Sequence, residues 1–347
     1  MTTRIYGSEN SPYSIKVRSY ARYLGVDHVW VVRNAKSQQE YKKVAKLPLI
    51  PAVRLPDGTG MQDSTPIMEY FDTLPNVTSS HPPGDLRFVS QLLEEYGDEW
   101  ANKQMFHYRW HRPIDQRIVS LRLASEMLKD NASESILVQM SDGIRTRMSG
   151  RGFAVGSNEI TGPMIEQSFR ESMAQLEKHL STRTFLFGTK PSFGDFGLGA
   201  QIYQALIDPT AGKILLLHHP RVVEWCTSML SPSQSLAHSG AFESWDTLAP
   251  TLEPFLEDHV GDIFLKWMDA NHRCVQSKSK ECVVALRYGT WKNVVLGPQK
   301  YQKKSLKVLR EKFAKARTKS LDLLLKRTGC FDTLAKTSSS SSSSSKL

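Results

Sequence analysis

The chain has 347 residues, 40% hydrophobic and 23% charged, the profile of an ordinary globular protein with room for more than one core. No apolar run approaches a membrane span, no charged-then-apolar leader opens the chain, and Cys226, Cys274, Cys282 and Cys330 lack C-x-x-C or zinc spacing, so neither a membrane protein nor a disulfide scaffold is expected. The net charge of +10 is local: eleven Lys and Arg residues against Glu311 and Asp322 put +9 between Lys300 and Arg327, which excludes a generally basic nucleic-acid-binding surface.

Thr3-Arg4-Ile5-Tyr6-Gly7 is short, aromatic and β-branched, and reads as a strand. A helix follows, with Val17, Tyr20, Ala21 and Leu24 on one stripe, Ser11 at the N-cap, Pro12 at the first helical position and Gly25 past the end. The open N–H groups of that helix favour an anion above Ser11, and a thiolate held there would have a lowered pKa. Serines stand at 11 and 14, so the thiol must come from a ligand. His28 to Val32 is a second strand, then comes a polar helix around Gln38 to Lys46. Ala52 to Leu55 and Met61 to Asp63 form a hairpin around Pro56-Asp57-Gly58-Thr59-Gly60, and Ser64 caps a helix with Ile67, Phe71 and Leu74 inward. Pro51, heading a strand after an apolar run, is a candidate cis peptide.

Ser11-Pro12-Tyr13-Ser14 after the first strand, Leu49-Ile50-Pro51-Ala52-Val53, and Gln62-Asp63-Ser64-Thr65-Pro66-Ile67 at this separation closely resemble the N-terminal domain of the glutathione transferase superfamily. The resemblance implies an α/β thioredoxin-like domain with the glutaredoxin cysteines replaced by serine, followed by an all-α helical-bundle domain. It implies glutathione as co-substrate. Ile50 would present backbone to the cysteinyl part beside cis-Pro51, Ser64 would take the γ-glutamyl carboxylate, and Asp63 its ammonium. Ser11 matches the thiol-binding serine of the serine-type classes and Tyr6 the tyrosine of others. Ser11 is preferred, because it joins a hydroxyl to a helix N-terminus. The basic residue for the glycyl carboxylate has no clear match; Lys46 is assigned, with Lys42 and Lys43 as equals.

Residues 77–85 read as a linker. Val89, Leu92, Leu93, Tyr96 and Trp100 keep helical spacing in a long helix up to about Arg112, with further helices over 115–129, 135–148 and 163–180. Ser192-Phe193-Gly194-Asp195 is a capping box and resembles the one opening the central helix of the family's second domain, which makes Ser192 and Asp195 folding residues. By the same resemblance, Tyr96, Trp100, Phe106, Tyr108 and Arg109 border a second-substrate cleft, although plain packing serves each aromatic equally well. Glu95/Glu99 and His107/His111 stand at i, i+4, but there is no H-E-x-x-H motif, and no metal is expected.

Family members end soon after 220–230. Here a β-hairpin around Tyr288-Gly289 and a basic helix over 300–327 follow, the helix docked through Leu306, Leu309, Phe313 and Leu324. Eight serines (Ser338 to Ser345) form a flexible spacer, and Ser345-Lys346-Leu347 matches the peroxisomal address, read by an import receptor. The organisation expected is therefore 1–76 thioredoxin-like, 86–260 helical, 261–334 extension and 335–347 tail. The function expected is a glutathione-dependent transferase that activates the thiolate for attack on an electrophilic small molecule, with isomerisation or peroxide reduction using the same site. The alternative is a non-catalytic binding or scaffold protein on that fold. A homodimer, the import receptor, no nucleic acid, and a peroxisomal (otherwise cytoplasmic) location complete the expectation.

Overall fold

The computed structural model describes residues 2–128, 132–294 and 297–336, with the side chains of 294 and 297–300 outside that description. The targeting tripeptide Ser345-Lys346-Leu347 also lies outside it. The chain opens with β1 (Thr3–Gly7), α1 (Pro12–Tyr23), β2 (His28–Val32), α2 (Gln38–Val44), β3 (Ala52–Arg54), β4 (Gly60–Gln62) and α3 (Ser64–Phe71). The sheet order is β2-β1-β3-β4, with β1 parallel to β2 and antiparallel to β3, and β4 antiparallel to β3. Alternation along the strands divides two faces: Ile5 and Val53 join the main core under α1 and α3, while Tyr6 and Ala52 pack on Tyr41 of α2.

The register sets Tyr6 opposite Ala52 and Ala52 opposite Gln62. Because neighbouring strands reverse, the end of β1, the start of β3 and the end of β4 share one edge of the sheet. The loops that carry Ser11, Ile50–Pro51 and Asp63–Ser64 therefore converge there.

The helical part begins with α4 (Leu86–Tyr96), a π-helical turn Gly97–Ala101, and α5 (Asn102–His111). The expected single α-helix up to Arg112 is thus interrupted by a π-helical turn. Gly97 stands against α9 (Phe193–Leu206), where a Cβ would meet the backbone of Leu198 and Gly197 at 2.7–2.8 Å. Between them run α6 (Pro113–Met127), α7 (Glu134–Ser149) and α8 (Gly162–Leu180); α10 (Pro209–His218), α11 (Pro220–Ser228), α12 (Leu236–Ser239) and α13 (Trp245–Phe255) follow. The capping box forms as expected. Asp195 accepts from the Ser192 N–H, and its other oxygen accepts from Leu186 N–H and Trp225 Nε1, each at 2.8 Å.

α13 continues through a π-helical stretch (Leu256–Leu265) into α14 (Lys266–Gln276), so the expected boundary at 260/261 falls inside one unbroken helical run. β5 (Glu281–Leu286) and β6 (Gly289–Val294) form the hairpin, turning through Arg287 and Tyr288 into Gly289, whose φ is +135°. The basic segment is two helices, α15 (Gly297–Ala316) and α16 (Lys319–Arg327), before the short α17 (Phe331–Leu334). Thr318 makes the break: its hydroxyl oxygen caps Leu321 N–H (3.0 Å) and its hydroxyl donates to Asp85 (2.7 Å). The stripe of Leu306, Leu309, Phe313 and Leu324 is buried in the same core as both domains, with the Phe313 ring 5.4 Å from Phe88. No helix of the described residues is long and apolar enough to cross a membrane.

Candidate functional site

At the shared edge, Ser11 caps α1 with extended dihedrals (φ −109°, ψ 115°), and its Oγ accepts from Ser14 N–H at 3.3 Å. The preceding loop is held by Glu126 of α6, which accepts from the Ser8 hydroxyl (2.5 Å), Glu9 N–H (2.6 Å) and Asn10 Nδ2 (2.9 Å). Arg109 grips it from the other side through Asn10 O (2.9 Å). On α1 itself, the Tyr13 hydroxyl donates to Asp98 O at 2.8 Å, clamping the helix start to the π-helical turn. Ser11 is thus a partly exposed hydroxyl on a helix N-terminus fixed from three sides.

Opposite it, the Ile50–Pro51 peptide is cis. The loop before it is tied by one side chain: Gln62 accepts from Lys46 and Leu47 N–H and donates to Leu47 O and Leu49 O, all within 2.8–2.9 Å. The Ile50 N–H and C=O have no hydrogen-bond partner among the described residues. Lys46 is exposed on this loop. Arg33, directly after β2 at the same edge, donates its N–H to Gly7 O (2.7 Å) and lies over the Tyr41 ring, a second cation that the sequence reading did not single out.

The third corner is Asp63–Ser64. Asp63, not Ser64, occupies the N-cap position of α3, with φ +82°, a conformation a non-glycine residue adopts at a cost. Its carboxylate does not cap the helix; it accepts the Tyr301 hydroxyl from α15 at 2.6 Å. Beneath Ser64 lies Lys16, whose Nζ reaches Ser64 Oγ (3.3 Å), Thr65 Oγ1 (3.2 Å), Asp98 Oδ2 (2.6 Å) and Glu94 Oε1. Burial opposes the Lys16 charge, but Asp98 and Glu94 outweigh it and raise its pKa. Burial also pushes Asp98 up to about 7 against the pull of Lys16, and Glu99 to about 7 against Lys103, while Lys16 and Lys312 together hold Glu94 low despite its burial. The carboxylates of α4 and the turn after it therefore form a buried, partly protonated cluster behind the Asp63–Ser64 corner.

Two expectations change. Tyr6 is fully buried on the α2 face, edge-on to Tyr41 at 6.2 Å, and its hydroxyl lies by Arg4, back along the strand from the Ser11 edge. The cleft assigned to Tyr96, Trp100, Tyr108 and Arg109 is core instead. Tyr96 packs edge-on to Phe255 and Phe264, Trp100 lies among Trp267 and Trp291 while donating to Ser168, and Tyr108 packs on Phe169. Arg109 spends its guanidinium on Asp208 and Gln204 besides Asn10. The extension contributes at two of these positions, through Trp267 and Trp291 against Trp100 and Phe264 against Tyr96, while Phe169 of α8 covers Tyr108. Lys16, Glu126 and Tyr301 were missed: a lysine on an apolar helix face carried a signal, whereas the other two are joined to the site only by the fold. A depression of about 650 Å³ runs along α7, lined by Glu134, Val138 and Asp142, and touches none of these residues.

Residues 10–74 match the model for the glutathione S-transferase N-terminal domain, and residues 131–228 match that for its C-terminal domain. No curated protein matches the sequence. Among solved structures, poplar glutathione transferase F1 is 15% identical, covering 72% of this chain and 97% of its own at a TM-score of 0.40. The β-etherase LigF from Sphingobium sp. strain SYK-6 is 18% identical over 70% of this chain and 100% of its own (TM-score 0.46). The Tau class transferase of mango, Mangifera indica, is 18% identical over 73% and 98% (TM-score 0.39). With a thioredoxin-like domain leading into a helical one, and both family models matched in that order, the chain belongs to the glutathione transferase superfamily.

Proposed function

We propose that the protein binds glutathione at the shared sheet edge and activates its thiolate for attack on an electrophilic small molecule. The observation that carries this reading is the convergence of Ser11 on the α1 N-terminus, the unpaired Ile50 backbone beside Pro51, and the Asp63–Ser64 corner. These groups fit the ligand's chemistry. The Ser11 hydroxyl donates to the thiolate and the helix end favours its charge. The Ile50 peptide pairs with the cysteinyl backbone, the α3 N-terminus receives the γ-glutamyl carboxylate, and Asp63 receives the ammonium. Lys46 serves the glycyl carboxylate. Lys16 lies under Ser64 and holds that corner in place. A depression of the thiol pKa by ~2 units corresponds to ~2.7 kcal/mol, within reach of one charge-assisted hydrogen bond plus a helix end.

The test is an ultraviolet titration of the thiolate band of bound glutathione in the wild type and in Ser11→Ala. A bound pKa well below the free value, returning toward it in Ser11→Ala, is the expected result. A depression that survives Ser11→Ala but not Tyr6→Phe moves the thiol contact to Tyr6, and no depression removes the catalytic reading. The non-catalytic alternative is favoured by one observation, the Tyr301 hydroxyl already seated on Asp63.

A further inference from the structure

The end of α5 carries a second cluster that the thiol site does not use. His107 and His111, four residues apart, face the same way with ring centroids 4.6 Å apart and planes 22° from parallel. Glu166 of α8 comes across to them, with Oε1 3.2 Å from His107 Nε2. One ligand atom from each of the three lies within 4.8 Å of the others.

Three features prepare the cluster for an ion. His107 is 1% exposed, and its Nδ1 stands 2.8 Å from the Ser157 hydroxyl, which can accept an Nδ1–H and leave the Nε2 lone pair for a ligand. A Cβ on Gly162 would stand 3.1 Å from His107 Cε1, so the bare backbone at the start of α8 makes room for the ring. Glu166 gives Arg112 and His107 the same oxygen, Oε1, at 2.5 and 3.2 Å, and Oε2 has no partner among the described residues. His111 is exposed, with no hydrogen bond among the described residues, and opens the cluster to solvent.

We propose that His107, His111 and Glu166 bind one divalent transition-metal ion of the zinc type, with water completing the shell. Two imidazoles and one carboxylate are the donor set such ions take, at about 2.0–2.2 Å each. Closing from the present separations needs only a turn of the exposed His111 and of Glu166, whose second oxygen is free. Arg112 stays on the first oxygen as its partner.

The test uses the full-length protein, freed of metal by a chelator and dialysed, and titrated with Co²⁺ as a spectroscopic probe, then with Zn²⁺ in competition. The wild type is expected to take one equivalent of Co²⁺ with visible d–d bands of a nitrogen and oxygen site, displaced by Zn²⁺. His111→Ala, at an exposed position that leaves the fold intact, is expected to weaken binding at least tenfold, and Glu166→Gln likewise. Absence of binding in the wild type, equal binding by His111→Ala, or thiolate-to-cobalt charge-transfer bands pointing to the cysteines would each overturn the assignment.

Discussion

Replacing Lys16 by methionine keeps most of the length of the side chain and removes its charge. Lys16 and Glu94 are each 1% exposed at the side chain, so the substitution strands the Glu94 carboxylate without water to receive it, while Asp98, 12% exposed and already raised to about 7, loses less. A stranded carboxylate escapes by taking up a proton. For Glu94, with an ordinary pKa of 4.5, that costs about 3.4 kcal/mol at pH 7, at ~1.4 kcal/mol per pH unit. This agrees with the 3–5 kcal/mol typical of breaking a buried pair, a large share of a total stability of about 5–15 kcal/mol. At pH 5 the same escape costs only about 0.7 kcal/mol. The sign follows from Glu94, whose depressed pKa in the wild type gives stability that is present above 4.5 and lost on acidification. The assay is urea unfolding of wild type and Lys16→Met at pH 5 and pH 7, with the triple variant Lys16→Met/Glu94→Gln/Asp98→Asn as control. The penalty should shrink by more than half at pH 5, and the triple variant should recover most of the loss at pH 7. A penalty independent of pH, or one unchanged in the triple variant, would refute the reasoning and assign the effect to packing of the lysine stem.

Glu99 is raised to about 7 by burial, so its contribution to stability is present at low pH and lost as pH rises through 7; Glu99→Gln should therefore gain on the wild type by about 2 kcal/mol between pH 5 and pH 8 in urea midpoints. Phe313→Ala removes a ring that packs on Phe88 and Phe331 and should cost about 3–5 kcal/mol in the same assay, whereas a cost below about 1 kcal/mol would mean that α15 is not docked. Tyr301→Phe frees the Asp63 carboxylate, and calorimetry should show glutathione binding tightened several-fold; weaker binding would make the Tyr301 hydroxyl part of the binding site.

Local chemistry was legible from residues near one another in the chain. The first helix with its Ser11 cap and Gly25 stop, the Ser192–Asp195 box, the β5–β6 hairpin and the inward stripe of α15 all form where propensity and periodicity place them, because each depends on contacts a few residues apart. The three corners of the candidate site were readable for a related reason: they follow strand ends of one small sheet, and alternating strand direction forces them to one edge. Where periodicity fell short was in naming the partner of a buried face. The aromatic spacing of Tyr96, Trp100 and Tyr108 is the same for a cleft and for a core, and residues far along the chain decide for core: Phe255 and Phe264 against Tyr96, Trp267 and Trp291 against Trp100, and Phe169 against Tyr108. A helix pattern likewise shows Lys16 facing inward without showing Glu94 and Asp98 opposite, or Tyr301 reaching Asp63. Side-chain periodicity fixes direction, but burial and charge pairing depend on what the rest of the chain brings against that direction, and only the tertiary structure supplies it.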